Sequence, residues 1–115
     1  MSTFFKGSLN GLDTKDTHEI SRKVRKYNYT VKAKGKGTLR FKIDYLDPGQ
    51  IGVGADHVPA KWRTLVKRHK VDGGKSCSGS FELQGFDDES RSLKMIFSRG
   101  VGTKGVDYDF EMEKA

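Results

Sequence analysis

The sequence has little cysteine and proline and no long hydrophobic run. It contains one Cys and two Pro among 115 residues. One cysteine cannot form an intramolecular disulfide, on which small secreted domains usually depend. We therefore expect Cys77 to be a core residue and the chain to reside in the reducing cytoplasm. No apolar segment approaches the roughly 18 residues of a membrane-spanning helix, and the apolar pair Phe4 and Phe5 is too short for a signal peptide.

Residues suited to catalysis and metal binding are also scarce. The chain has three histidines, His18, His57 and His69, besides its single cysteine. General acid–base catalysis needs two such groups held close to the reacting atoms, and no spacing here indicates such a pair. His57, His69 and Cys77 do not have the spacing of a zinc site. We expect no enzymatic activity, no cofactor and no metal, and a small basic ribonuclease is the enzymatic alternative.

Acidic residues are missing from two long stretches of the chain. The net charge is +7, from 22 Lys and Arg against 15 Asp and Glu. Residues 20–43 contain nine basic side chains and residues 60–70 contain five, with no acidic residue in either stretch. Residues 107–113 instead contain four acidic side chains. Blocks of one sign produce a field of that sign over part of the surface, which predicts a partner of opposite charge.

Period-2 alternation of apolar and polar residues dominates the sequence. The clearest case is the C-terminus, where Val106, Tyr108, Phe110 and Met112 alternate with four acidic residues. Such alternation is typical of strands that bury one face. Several segments of this kind, with 14 Gly available for turns, predict one mainly β domain over residues 1–115. We expect a small antiparallel β-sandwich or barrel.

The spacing of these segments predicts three hairpins. Two alternating segments that flank Gly35-Lys36-Gly37 predict an antiparallel hairpin over 26–45. A second hairpin is predicted over 77–98. The turn signal Asn10-Gly11 predicts a third at an edge of the fold, with Phe4, Phe5, Leu9 and Leu12 as its apolar residues.

One segment has helical rather than strand spacing. Its apolar residues recur at intervals of three and four, with Pro59 near the start and Gly73-Gly74 beyond the end. We therefore expect at most one short helix, at about 59–70, with Trp62 anchored in the core; a strand through Trp62, Thr64 and Val66 is the alternative. The apolar stripe consists of Val58, Trp62, Leu65, Val66 and His69.

The hairpin at 26–45 predicts an anion-binding surface. Residues that alternate away from the core project from one face of a strand, so its Lys and Arg side chains should lie together. Crowded like charges repel, and a bound anion would offset that repulsion. We therefore expect a non-enzymatic module that binds nucleic acid or another polyanion with little sequence specificity. The predicted anion-binding residues are Lys26, Lys32, Lys34, Lys36, Arg40, Lys42, Lys61, Arg63, Lys67 and Arg68.

Other partners are alternatives to nucleic acid. A basic sheet face also fits anionic lipid or glycan, so a lectin-like or membrane-lipid-binding sandwich is the alternative function. The strand at 77–84 directs Ser78, Ser80 and Gln84 outward and lacks the charges that usually protect a sheet edge. We expect a homodimer or a protein partner along such an edge. A lysine on a strand can contact nucleic acid, anionic lipid or anionic glycan in the same way, so the sequence does not distinguish these partners.

Overall fold

The described residues form eight β-strands and no helix. The computed structural model of the chain describes residues 2–10, 15–49, 59–86, 88–100 and 104–115. Within these ranges, no helix has the length and apolar character that crossing a membrane requires. The strands are β1 (Thr3–Leu9), β2 (Lys15–Lys23), β3 (Lys26–Gly35), β4 (Thr38–Asp47), β5 (Lys61–Asp72), β6 (Ser76–Glu82), β7 (Ser90–Arg99) and β8 (Val106–Lys114).

Two four-stranded antiparallel sheets pack face to face as a sandwich. The first sheet has the strand order β1-β8-β3-β6, and the second has the order β2-β7-β4-β5. Successive strands change sheet at every connection except the one from β4 to β5. This architecture confirms the prediction of a small antiparallel β-sandwich.

The core lies between the sheets and consists of the inward rows of the alternating strands. Phe97 of β7 is fully buried, and its ring stacks on that of Tyr108 with 4.1 Å between centroids. The rings of Phe41 and Phe110 lie 6.5 and 5.6 Å from that of Phe97. The apolar row predicted for the C-terminal strand is confirmed, because all four of its residues are 1% exposed.

The strand pairings predicted from the turns are wrong. β3 and β4 flank the predicted Gly35-Lys36-Gly37 turn, but they belong to different sheets, and so do β6 and β7. β1 is an edge strand as predicted, yet it pairs with β8 and not with β2. Alternation determines which side of a strand is buried, but it does not determine which strand lies beside it. Gly11 and Leu12 of the predicted edge hairpin lie outside the described residues.

The helix predicted at about 59–70 is a strand. The twelve residues of β5 lie opposite the ten residues of β4, so β5 contains two bulges. Each bulge inserts an unpaired residue and reverses the alternation. As a result, Leu65 and Val66 both contact the core, and the next buried residue of the strand is Val71. A strand with two such reversals has apolar spacings that resemble those of a helix.

The two ends of the sandwich are built differently. At one end, turns pack backbone against backbone: the Gly37 amide donates to the Gly105 carbonyl (3.1 Å), and the Gly73 amide donates to the Gly37 carbonyl (2.9 Å). We call this the glycine end. At the opposite end, residues 84–86 and 89, between β6 and β7, lie beside residues 47–49 and the start of β5. We call it the Phe86 end, after the residue that projects there.

Candidate functional site

The ten predicted anion-binding residues do not share one face. Lys26, Lys32 and Lys34 project from the outer face of the first sheet. Arg40 and Lys42 project from the outer face of the second sheet, because β3 and β4 lie in opposite sheets. The other members are Lys36, in the turn after β3, and Lys61, Arg63, Lys67 and Arg68, on the edge strand β5.

The lysines of β3 are also neutralised by the acidic strand β8. Lys32 lies opposite Asp109 in the ladder and Lys34 lies opposite Asp107. Lys34 Nζ is 2.9 Å from Asp109 Oδ2. The hydrogen bond and charge of Asp109 raise the pKa of Lys34, and the same hydrogen bond lowers the pKa of Asp109. The first sheet therefore does not present the cationic surface that its lysine content predicts.

The described histidines are too far apart to act as a catalytic pair. His18 lies on β2 and His69 on β5, which are the two opposite edges of the second sheet. His57 lies outside the described residues. In the part of the chain that the structure describes, no three His, Cys, Asp or Glu side chains are close enough to hold a metal ion. This arrangement does not support the ribonuclease alternative.

His18 instead belongs to a hydrogen-bonded group that links the sheets. Its Nε2 is 2.7 Å from the Tyr108 hydroxyl, which donates to Asp16 Oδ2 over 3.0 Å. Burial raises the pKa of Tyr108 far above its ordinary value, and the hydrogen bond to Asp16 raises it further. The His18 ring also stacks on Phe5 with 4.3 Å between centroids. These contacts join β1 and β8 of the first sheet to β2 of the second.

An exposed phenylalanine projects from the loop between β6 and β7. Phe86 is 82% exposed, more than any other large hydrophobic residue in the described ranges. Its amide donates to Glu89 Oε2 (2.8 Å), and its carbonyl accepts from the Glu89 amide (3.2 Å). Glu89 Oε2 is also 2.9 Å from Arg91 Nη2, and the Arg91 side chain is only 13% exposed. One carboxylate therefore ties the loop to the first residues of β7.

The backbone of this loop is specified by the residues on either side of Phe86. A Cβ on Gly85 would lie 2.6 Å from both Glu89 Oε2 and Arg91 Nη2, and the φ of Gly85 is +155°, so another residue there would strain the backbone and displace the ion pair. Asp88 has a φ of 67°, in the left-handed region. That conformation costs a non-glycine residue roughly 1–2 kcal/mol. The conformations of Gly85 and Asp88 thus set the course of the described backbone on both sides of Phe86.

A cleft opens between the sheets beside Phe86. Its volume is about 600 Å³, and Tyr45, Gln84 and Arg91 contribute to its lining. Arg63 and Asp47 also line it, and Arg63 Nε donates to Asp47 Oδ2 (2.6 Å). A hydrogen bond from the Gly49 amide and the one from Arg63 lower the pKa of Asp47. The Phe86 end therefore combines an apolar projection with a cleft that two ion pairs line.

The attachment of the Phe86 loop is expected to persist down to unusually low pH. The Phe86 amide and then Arg91 lower the pKa of Glu89 below its ordinary 4.5. A lowered pKa in the folded chain means that the hydrogen bond is present above 4.5 and is lost only as the pH falls through the lowered value. The proton shift of the Phe86 amide should therefore titrate with a midpoint below 4.5. Glu89→Gln should remove this titration, and a midpoint at or above 4.5 would contradict the arrangement.

Sequence reasoning misses this site because it concentrates on charge. Phe86 belongs to no predicted strand or surface. A signal is nevertheless present: Phe81 and Leu83 alternate as inward residues, and Phe86 is out of phase with them. An aromatic residue out of phase and next to a glycine is typical of a loop that exposes its side chain.

The fold resembles that of an enzyme inhibitor. No family model and no curated protein sequence matches the chain. Among solved structures, it matches the crystal structure of Aeromonas hydrophila PliG, a periplasmic lysozyme inhibitor of g-type lysozyme. The TM-score is 0.51 at 18% identity, and the match covers 99% of this chain and 86% of the other. At this identity, the match establishes a shared fold.

This match corrects the predicted function, partners and location. PliG is an inhibitor that acts on a protein and is periplasmic, and it is not an enzyme. The prediction of a nucleic-acid or polyanion-binding module is wrong, as are the lectin-like and lipid-binding alternatives. The predicted partners, which were nucleic acid, anionic lipid, glycan and a second copy of the chain, are wrong for the same reason. The cytoplasmic location is also wrong, because PliG, which shares this fold, is periplasmic. The single unpaired cysteine on which that prediction was based indicates only that no intramolecular disulfide forms.

Proposed function

We propose that this chain is a non-enzymatic inhibitor that binds a protein enzyme through its Phe86 end. The observation that supports this most directly is Phe86, 82% exposed on a loop that Glu89 holds in place. The fold shared with PliG makes a g-type lysozyme the first enzyme to test. The proposal also places the chain in the periplasm or outside the cell, where a lysozyme acts, and cell fractionation checks this location.

The energetics of an exposed phenylalanine favour a role in binding. Moving a fully exposed Phe side chain into an apolar site stabilises a complex by roughly 1.5–3 kcal/mol. Aromatic side chains and Arg dominate the energy of protein interfaces, usually where they fill a pocket of the partner. Because Glu89 and Gly85 already hold the loop, little conformational entropy remains to be lost on binding. Phe86 is therefore suited to enter an apolar pocket of an enzyme.

The cleft beside Phe86 supplies the polar part of such an interface. Arg63 and Arg91 are fixed by Asp47 and Glu89, so their positions are set before a partner arrives. A partner side chain that enters the cleft meets Tyr45 and Gln84 as well. Phe86 can enter a pocket of the partner, and the cleft can receive a side chain of the partner. A flat basic surface offers neither contact.

Replacing Phe86 by alanine is expected to weaken inhibition strongly. The unmodified chain should slow cell-wall hydrolysis by a g-type lysozyme in a turbidity assay. Loss of an interface anchor costs about 2–4 kcal/mol, so Phe86→Ala should raise the inhibition constant by about 30-fold or more. The side chain is almost fully exposed, so thermal unfolding of the variant should be unchanged.

Phe4 provides the matched control. It is the other exposed large hydrophobic residue in the described ranges, at 61%, but it lies on β1, at the opposite edge of the first sheet from β6, which leads into the Phe86 loop. Phe4→Ala should inhibit like the unmodified chain. Equal inhibition by the Phe86 and Phe4 variants would show that the Phe86 end is not the binding site. No inhibition by the unmodified chain would refute g-type lysozyme as the target.

A further inference from the structure

The outer faces of the two sheets differ in charge. The strand registers place four cations and five anions outward on the first sheet, but six cations and three anions outward on the second. On the first face, the cations are Lys6, Lys26, Lys32 and Lys34, and the anions are Glu82, Asp107, Asp109, Glu111 and Glu113. On the second, the cations are Lys15, Lys23, Arg40, Lys42, Lys70 and Lys94, and the anions are Glu19, Asp44 and Asp72.

Near the start of β5, the second face carries a tryptophan surrounded by two lysines and one carboxylate. Lys94 Nζ lies 4.0 Å from the centroid of the Trp62 ring, a cation–π contact. Trp62 is half-buried and lies opposite Leu46 in the ladder, and Ile96 lies one row beyond Lys94. The sequence predicts Trp62 as a core anchor, but it is absent from the core between the sheets. We call Trp62, Lys94, Lys42 and Asp44 the Trp62 cluster.

Two polar atoms on this face are buried without a hydrogen bond. The Asp44 side chain is 11% exposed; its Oδ2 is 3.2 Å from Lys42 Nζ, but its Oδ1 is buried and has no partner among the described residues. Arg40 Nε, on the same strand, is also buried and has no hydrogen-bond partner among the described residues. Leaving a buried polar atom unpaired is unfavourable. These charged groups have already lost water in the free protein. The free-energy cost of removing water from them is therefore smaller when a partner covers this face.

The Trp62 cluster adjoins the Phe86 end through a single strand. Consecutive residues of β5 point in opposite directions, so Arg63 lines the cleft while Trp62 lies on the outer face. Trp62 is one residue from the start of β5, at the end of the sandwich where Phe86 projects. A partner that received Phe86 would therefore reach Trp62 without bridging a gap.

We infer that the outer face of the second sheet, centred on the Trp62 cluster, is a second contact surface for an acidic rim of the enzyme that receives Phe86. This inference rests on the proposed function. Glycoside hydrolases place carboxylates in the cleft that binds their substrate, so the edge of such a cleft is a source of negative charge. Complementary charge of this kind raises the association rate more than it raises the affinity of the final complex.

Neutralising the cluster should slow association with the enzyme in a salt-dependent way. Binding to immobilised g-type lysozyme would be followed by surface plasmon resonance at 50 and 500 mM NaCl. Lys42→Gln with Lys94→Gln should lower the association rate constant by about tenfold at 50 mM and by less than twofold at 500 mM, where the Debye length is only a few Å. Trp62→Ala should instead raise the dissociation rate constant, because it removes buried contact area.

A control of equal charge separates this effect from the net charge of the chain. Lys36 and Lys75 are exposed residues of turns at the glycine end, and Lys36→Gln with Lys75→Gln removes the same two charges. That variant should associate nearly as fast as the unmodified chain. Lys94→Arg keeps a cation over Trp62 and should retain the unmodified rate. Circular dichroism and thermal unfolding would verify that each variant is folded.

The outcomes distinguish this inference from the proposed function. Equal association rates for the cluster variant and its control would overturn the second contact surface. If Phe86→Ala still weakened binding in that case, the proposed function would stand alone. An unmodified chain that did not bind the lysozyme would overturn both.

Discussion

Replacing Phe97 by alanine is expected to lower the free energy of unfolding by about 3–5 kcal/mol. Phe97 is fully buried, and its ring meets those of Phe41, Tyr108 and Phe110, so it contacts both sheets. Truncation removes the transfer free energy of the ring and leaves a cavity that a two-sheet core cannot close without moving a sheet. Small domains are stable by only about 5–15 kcal/mol, so the loss would be a large part of the total.

Urea unfolding followed by tryptophan fluorescence would measure this loss. Phe4→Ala is the comparison, because its side chain is 61% exposed; its cost should stay within about 0.5 kcal/mol. If Phe97→Ala does not fold, Phe97→Leu keeps most of the volume and should still be clearly less stable than the unmodified chain. Similar midpoints for the Phe97 and Phe4 variants would contradict the described core.

Alanine at Gly73 is expected to destabilise the fold by about 3 kcal/mol, the upper part of the usual range for overpacking. A Cβ there would overlap the carbonyl oxygen of Gly35, which is backbone and cannot rotate away. The Gly73 amide also donates to the Gly37 carbonyl, so a shift of the turn would break that bond. The substitution forces two turns of the glycine end apart.

The neighbouring glycine tests the reason for this effect. Gly74 has a φ of +86°, and a Cβ added there would meet no described atom within 4 Å beyond its chain neighbours, so Gly74→Ala meets only backbone strain. We expect it to cost about 1–2 kcal/mol. Thermal unfolding of the two variants would compare them directly. A Gly74 variant as unstable as the Gly73 variant would show that turn conformation, and not backbone contact, explains the sensitivity of this end.

Alternation in the sequence is sufficient to predict strands but not their neighbours. It identifies the inward rows of β3, β4 and β8 correctly, because burial of one face is a local property of each strand. Pairing depends on the whole sandwich: β3 lies between β6 and β8, both distant in sequence. The turn at Gly35-Lys36-Gly37 is as compatible with a crossing between sheets as with a hairpin.

The candidate site can be predicted only in part for the same reason. Arg63 is among the predicted surface cations, and it does line the cleft. Its partner Asp47 is on β4 and comes close only because β4 pairs with β5. Glu89 and Arg91 come later in the chain, after it has passed through β6 of the other sheet. The basic face fails as a prediction because it requires β3 and β4 in one sheet. The candidate site combines residues that are distant in sequence, so no single segment of the sequence reveals it.

The exchange of strands between the sheets also determines how the chain must fold. Among the described strands, only β4 and β5 are both consecutive in sequence and paired in one sheet, and Thr3 of β1 pairs with Met112 of β8. Such non-local pairings impose the entropic cost of closing long loops before they contribute stability, and comparable all-β domains fold in milliseconds to seconds. During synthesis, β1 has no partner until β8 has emerged, so its Phe4, Phe5 and Leu9 stay accessible to other chains. Refolding yield should therefore fall as protein concentration rises, because intermolecular strand pairing competes with the slow return of β8 to β1.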